Sequence, residues 1–215
     1  MNRKLIGLVA GIGLCIVTGT AVADTPVEVK LKAAIEEDRG WCLDLRGGTR
    51  NAVAIGGIHG HTCYAYQGNG PARDQAFSQE DIETNNTFRL TGFENKCMTL
   101  YEPKEGSFIS LETCDGREAQ QITMTADGRI KPVKMPELCM TMSNVVLPGG
   151  GGNPLHIMRD VSFEACDNDP NILQDWELRA EWNGPEQTTA ERPFANNPNA
   201  APPGGGPRGG GRPRN

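Results

Sequence analysis

Toward its C-terminal end the chain reads Cys139-Met140-Thr141-Met142, then Glu164-Ala165-Cys166, then Gln174-Asp175-Trp176. The same three-part series occurs twice before. Cys42-Leu43-Asp44-Leu45 is followed by His61-Thr62-Cys63 and Gln75-Ala76-Phe77, and Cys97-Met98-Thr99-Leu100 by Glu112-Thr113-Cys114 and Gln120-Gln121-Ile122. Apolar residues alternate after each opening Cys, as on a half-buried strand. In each third part a Gln and a large apolar residue stand two apart, which puts both on one face of a strand. The apolar side chain suits a shared core. The Gln amide can satisfy nearby backbone groups or reach a ligand. An ordered set that recurs three times marks an internally repetitive fold.

The chain holds seven cysteines, and Cys15 lies in an N-terminal apolar run. The other six are an even number, which in an exported chain reads as a disulfide framework. Six cysteines allow fifteen pairings. Because opener and closer alternate, the simplest connectivity is Cys42–Cys63, Cys97–Cys114 and Cys139–Cys166. Each bridge closes a loop of about twenty residues, associated with roughly 3 kcal/mol in the chain-entropy account. No Cys-x-x-Cys occurs, which argues against a zinc ribbon.

Arg3 and Lys4, the apolar run Leu5 to Val17, and Ala21-Val22-Ala23 have the layout of a cleaved secretory signal over residues 1–23, with Asp24 as mature start. The run is short for a membrane anchor, so no span is expected after cleavage. A secreted or periplasmic location follows. Losing Arg3 and Lys4 takes the net charge from -6 to -8, which speaks against nucleic acid or an anionic membrane surface as partner. Residues 24–180 are expected to form one domain. Residues 181–215 are a Pro/Gly-rich tail with too little apolar surface to offset the entropy of ordering.

Between the cysteines the strand-like stretches are short: Val27 to Leu31, Thr87 to Leu90 and Phe108 to Leu111. Lys30 to Asp38 has helical composition but is read as an incoming strand. Asp127-Gly128, between Thr123-Met124-Thr125 and Arg129-Ile130, signals a hairpin. Gly149 to Gly152, flanked by Pro148 and Pro154, is an inserted loop, and without Gly-Lys-Ser/Thr it is not a phosphate loop.

The three sets, spanning Val27 to Leu178, resemble those of the ricin-type β-trefoil lectin family. The Gln174-Asp175-Trp176 signature is intact, while Phe77 and Ile122 stand where that family has Trp. The resemblance implies an all-β fold, a β-trefoil of three pseudo-repeats, each with its own disulfide. It also implies carbohydrate binding. In that family the Asp two residues after the opening Cys accepts sugar hydroxyls. An aromatic ring or His two residues before the closing Cys stacks on the sugar face, and a polar pair ending in the signature Gln completes the rim.

Carried onto this chain, the first repeat fits best, with Asp44, His61 and the pair Asp74-Gln75. His59, one strand step before His61, adds a hydrogen-bonding group on the same side. Two departures matter. Asp74 stands where the family has Asn, and an ionised carboxylate only accepts. An insertion, Tyr64 to Gly70, either adds aromatic contacts or covers the site. In the other repeats Thr99 and Thr141 replace the Asp, and Glu112 and Glu164 replace the ring, so one site is expected. Such a site binds weakly unless presented in several copies.

Plainer roles exist for these residues. Asp44 can bond loop amides. His59 and His61 can be surface histidines, or zinc ligands that lack a third. The three Gln residues recur where the sugar position is lost, which favours a structural task. Trp41 is expected to pack. Enzymatic signatures are missing: there is no Gly-x-Ser-x-Gly and no His-Glu-x-x-His. Glu112 and Glu164 are expected to be exposed and too far apart for a hydrolytic pair. Asp167-Asn168-Asp169 lacks the Gly and Glu of a calcium loop. No cofactor and no metal are expected. The partner is a glycan or glycoconjugate. The alternative is a sugar-silent trefoil that binds a protein or targets a toxin.

Overall fold

The computed structural model describes residues 24–47, 56–64, 70–167 and 171–180. The expected signal peptide, the tail from 181 onward, residues 65–69 of the first-repeat insertion and 168–170 lie outside these.

Each sequence repeat supplies four strands. The first gives β1 (Pro26–Leu31), β2 (Trp41–Leu45), β3 (Ile58–Thr62) and β4 (Phe77–Ser78). The second gives β5 (Arg89–Leu90), β6 (Lys96–Thr99), β7 (Ser110–Thr113) and β8 (Ile122–Met124). The third gives β9 (Ile130–Pro132), β10 (Leu138–Met142), β13 (Val161–Ala165) and β14 (Trp176–Arg179), with an extra pair, β11 (Leu147–Pro148) and β12 (Ile157–Arg159), inserted before β13. The middle strands of each repeat form an antiparallel hairpin: β2 with β3, β6 with β7, β10 with β13. The outer strands pair across repeat boundaries: β1 with β14, β4 with β5, β8 with β9. This is the β-trefoil plan. The β8–β9 hairpin turns through Asp127-Gly128, with Gly128 at φ 96°, a backbone region that favours glycine.

All three disulfides close within a repeat: Cys42–Cys63, Cys97–Cys114 and Cys139–Cys166, with Cα separations of 5.0, 5.1 and 4.9 Å. The alternating residues after each opener point inward, and Leu43, Leu45, Met98, Leu100, Met140 and Met142 are all buried. The apolar members of the third motif, Phe77, Ile122 and Trp176, are fully buried as well. Full burial of one such side chain is worth about 1.5–3 kcal/mol. The Trp176 indole N–H donates to the Met140 carbonyl (3.0 Å), which lets a polar tip sit in the core. Trp41 also packs inside.

Lys30 to Asp38 is not helical. β1 ends at Leu31 and turns follow. A helix does form elsewhere, α1 (Gln79–Asn85). The Ser78 hydroxyl accepts from the Asp81 N–H (3.2 Å) and caps its start, Ile82 anchors it to the core, and Asn86 ends it at φ 51°. The third-repeat insertion reaches the first repeat, because β12 pairs with β3 through Met158–His61 and Arg159–Gly60. No helix among the described residues is long and apolar enough to cross a membrane.

Candidate functional site

The signature Gln does the same work in every repeat. Its amide N–H groups donate to the residue two after the opening Cys and to the carbonyl before the closing Cys. Its amide oxygen accepts from the N–H after the closing Cys. Gln75 donates to Asp44 Oδ2 (2.9 Å) and Thr62 O (3.0 Å) and accepts from Tyr64 N (3.2 Å). Gln120 donates to Thr99 Oγ1 (3.2 Å) and Thr113 O (2.8 Å) and accepts from Asp115 N (3.0 Å). Gln174 donates to Thr141 Oγ1 (2.9 Å) and Ala165 O (3.0 Å) and accepts from Asp167 N (3.1 Å). Each amide is thereby used on both sides, as burial requires. Thr99 and Thr141 keep the oxygen that the Gln needs after the carboxylate is gone.

In the first repeat the five expected residues come together. Asp44 on β2 faces His59 on β3 in register. His59 Nε2 lies 3.0 Å from Asp44 Oδ1, so its Nε2–H donates to the carboxylate. His61 stands opposite Cys42, its ring 5.6 Å from that of His59, and its Nδ1–H donates to Thr62 O (3.0 Å). Asp74 and Gln75 close the cluster from the turn before β4.

Two further residues belong to it. The Tyr64 hydroxyl donates to Asp44 Oδ2 (3.0 Å). His156, from the third-repeat insertion, stacks on Tyr64 (centroids 5.3 Å apart, planes 15°) and meets His61 edge-on at 5.1 Å. Tyr64 was visible in the sequence as a possible cover. His156 carried no local signal, since only the β12–β3 pairing brings it near. The cluster is closed: Asp44 and His59 are each 3 % exposed, His61 8 % and Asp74 1 %. His59 and His61 are therefore not surface histidines.

Burial sets the ionisation. It pushes Asp74 up to about 8, with the neighbouring charge of Asp44 adding to the effect. At neutral pH Asp74 thus holds a proton and can donate, as an Asn amide does. The departure noted in the sequence is chemically milder than the residue type suggests. Burial lowers the His61 pKa against the opposing pull of Asp44, so its imidazole is neutral. Burial, then Asp44 and Asp74, raise the Tyr64 hydroxyl well above its ordinary range.

Glu112 and Glu164, expected to be exposed, are half-buried. The one group of three potential metal-ligand side chains found close together among the described residues is Glu28, Cys42 and Cys63. Two of these sulfurs form a disulfide and are not thiolates.

A disulfide-stapled β-trefoil with a repeated Gln staple and a polar cluster at one staple defines a lectin-type architecture. Residues 86–184 match the family model described as the ricin-type beta-trefoil lectin domain, and over this segment the chain belongs to that family. Solved structures similar to the chain include the β-trefoil lectin of the Vibrio vulnificus hemolysin/cytolysin with N-acetyl-D-lactosamine bound, at 19% identity, covering 75% of this chain and 98% of that one, with a TM-score of 0.48. The mdaA-1 domain is similar at 13% identity, 74% and 91% coverage, and a TM-score of 0.52. The agglutinin from Abrus precatorius is similar at 14% identity, 73% and 47% coverage, and a TM-score of 0.46. At these identities the likeness concerns the fold. No curated protein matches the chain in sequence.

Proposed function

We propose that this protein is an exported, non-enzymatic glycan-binding module whose first repeat, through Asp44, His59, His61, Asp74 and Gln75, recognises a sugar. The observation that carries this reading is the state of Asp44. It is fixed by His59 and Gln75, and it already accepts a hydroxyl hydrogen from Tyr64. A sugar hydroxyl offers the same donor, and the Tyr64 ring lies against His61 and His156 where a flat sugar face would lie. Binding therefore exchanges Tyr64 for the sugar. Protonated Asp74 supplies a donor at the rim. The disulfides and the N-terminal sequence support export.

A second reading is favoured by the burial of Asp44: a trefoil that is silent toward sugar and binds a protein instead. A glycan array probed with the wild-type chain and with Asp44→Asn separates the two. The lectin reading expects binding by the wild type, lost in the variant, and stronger binding by Tyr64→Ala. An array blank for the wild type and for Tyr64→Ala would sink it and leave the protein-binding reading.

A further inference from the structure

The second repeat, although it lacks the expected carboxylate and ring positions, carries an open cleft of about 320 Å³, within the size range of small-ligand sites. Leu100 and Ile122 line it beside Tyr101, Arg117, Glu118 and Lys134. Leu100 and Ile122 are buried, while Tyr101 is 57% exposed and takes no part in the core. A large aromatic ring left open beside polar groups is a common feature of binding surfaces.

The charges around the cleft narrow the ligand. Arg117 Nε lies 2.9 Å from Asp115 Oδ2, and Lys134 Nζ 3.1 Å from Glu118 Oε2. Both rim cations therefore already have carboxylate partners. Partial desolvation and the neighbouring Glu112 carboxylate raise the pKa of the Tyr101 hydroxyl, which locates Glu112 at the hydroxyl end of the ring. Glu112 stands on β7 opposite Cys97, and Tyr101 follows Thr99 by two residues. The first repeat has its carboxylate on the opening strand and its ring on the closing strand. Here the carboxylate is on the closing strand, and the ring follows the opening one.

We propose that this cleft is a separate carbohydrate site for a neutral pyranose, with the apolar sugar face on Tyr101 and adjacent hydroxyls donating to Glu112. It rests on the glycan-binding reading but not on the first-repeat cluster. A pyranose has C–H groups on its face and hydroxyls at its edge, which suits a ring beside a carboxylate. A sugar acid would have to break the Arg117–Asp115 or Lys134–Glu118 pair, and a neutral sugar need not. Unlike Asp44, these groups are reachable without moving a side chain out of the way.

The test is amide-resolved NMR titration of the disulfide-bonded protein with methyl β-galactopyranoside, methyl β-glucopyranoside, methyl α-mannopyranoside and, as charged comparator, N-acetylneuraminic acid. Single shallow sugar sites bind in the millimolar range, so each is carried to tens of millimolar. The expected result is saturable shifts with at least one neutral glycoside at residues 100–103, 117–121 and 132–134. Tyr101→Ala and Glu112→Gln should each weaken this binding at least tenfold while leaving the rest of the spectrum in place. Shifts that persist in Tyr101→Ala, or that map to the first repeat alone, overturn the cleft and leave the glycan reading intact. Preference for the acidic sugar overturns the neutral-ligand assignment. Silence toward every sugar removes both.

Discussion

Replacing Asp74 by Asn should flatten the pH dependence of stability above neutrality. Asp74 is 1 % exposed and its pKa is pushed from 3.8 to about 8 by burial and by Asp44. In the unfolded chain the group has lost its proton long before neutral pH. In the folded chain it retains roughly nine-tenths of a proton near pH 7 and about half near pH 8. The folded state therefore binds more protons, and raising the pH disfavours it. At about 1.4 kcal/mol per proton per pH unit, stability falls by roughly 1 kcal/mol across that single unit. Asn keeps a donor in place and cannot ionise, so Asp74→Asn should lack this fall. The lowered pKa of His61 acts in the opposite sense: the unfolded chain takes up a proton that the folded one refuses, so stability falls as the pH drops through about 6.5 and below. Working between about pH 7 and about pH 8 keeps the two apart. Urea unfolding followed by tryptophan fluorescence, disulfides intact, gives the measurement, since Trp41 and Trp176 are both buried. Parallel pH dependences in the wild type and the variant would refute the claim that Asp74 is held protonated.

Gly128→Ala should cost about 1–3 kcal/mol in the same assay, because Gly128 sits at φ 96° and an added Cβ would meet the Trp176 carbonyl oxygen. The double change Cys97→Ala with Cys114→Ala should cost roughly 3 kcal/mol and leave the other two bridges intact by non-reducing peptide mapping. An unchanged urea midpoint would show that this loop is held by packing alone. Thr99→Val, which removes the hydroxyl that accepts from Gln120, should destabilise by about 1–3 kcal/mol, whereas Thr99→Ser should be close to neutral.

The architecture was legible because it is written in short-range pattern. The cysteine order, the alternation after each opener and the Gln-x-apolar spacing each map onto a local strand geometry, and the Asp127-Gly128 turn is a local signal too. Helix α1 escaped notice although Ser78 and Asp81 stand at capping spacing; its few residues are lost among the strand signals. The five first-repeat residues were found because they sit at fixed offsets from the cysteines. Their enclosure was not, since it depends on His156, almost a hundred residues away, and on strand pairing that no local pattern encodes. The protonation of Asp74 was hidden for the same reason. An aspartate in a sequence reads as a charge until its surroundings are known.

The glutamine that clasps each hairpin asks only for an oxygen two residues past the cysteine, and it is as well served by the hydroxyls of Thr99 and Thr141 as by the carboxylate of Asp44. Scaffold integrity is thus indifferent to whether that oxygen can also greet a visitor. One lobe of such a protein can lose or regain its appetite by a single exchange of side chain while its neighbours, and the frame they share, stay as they were.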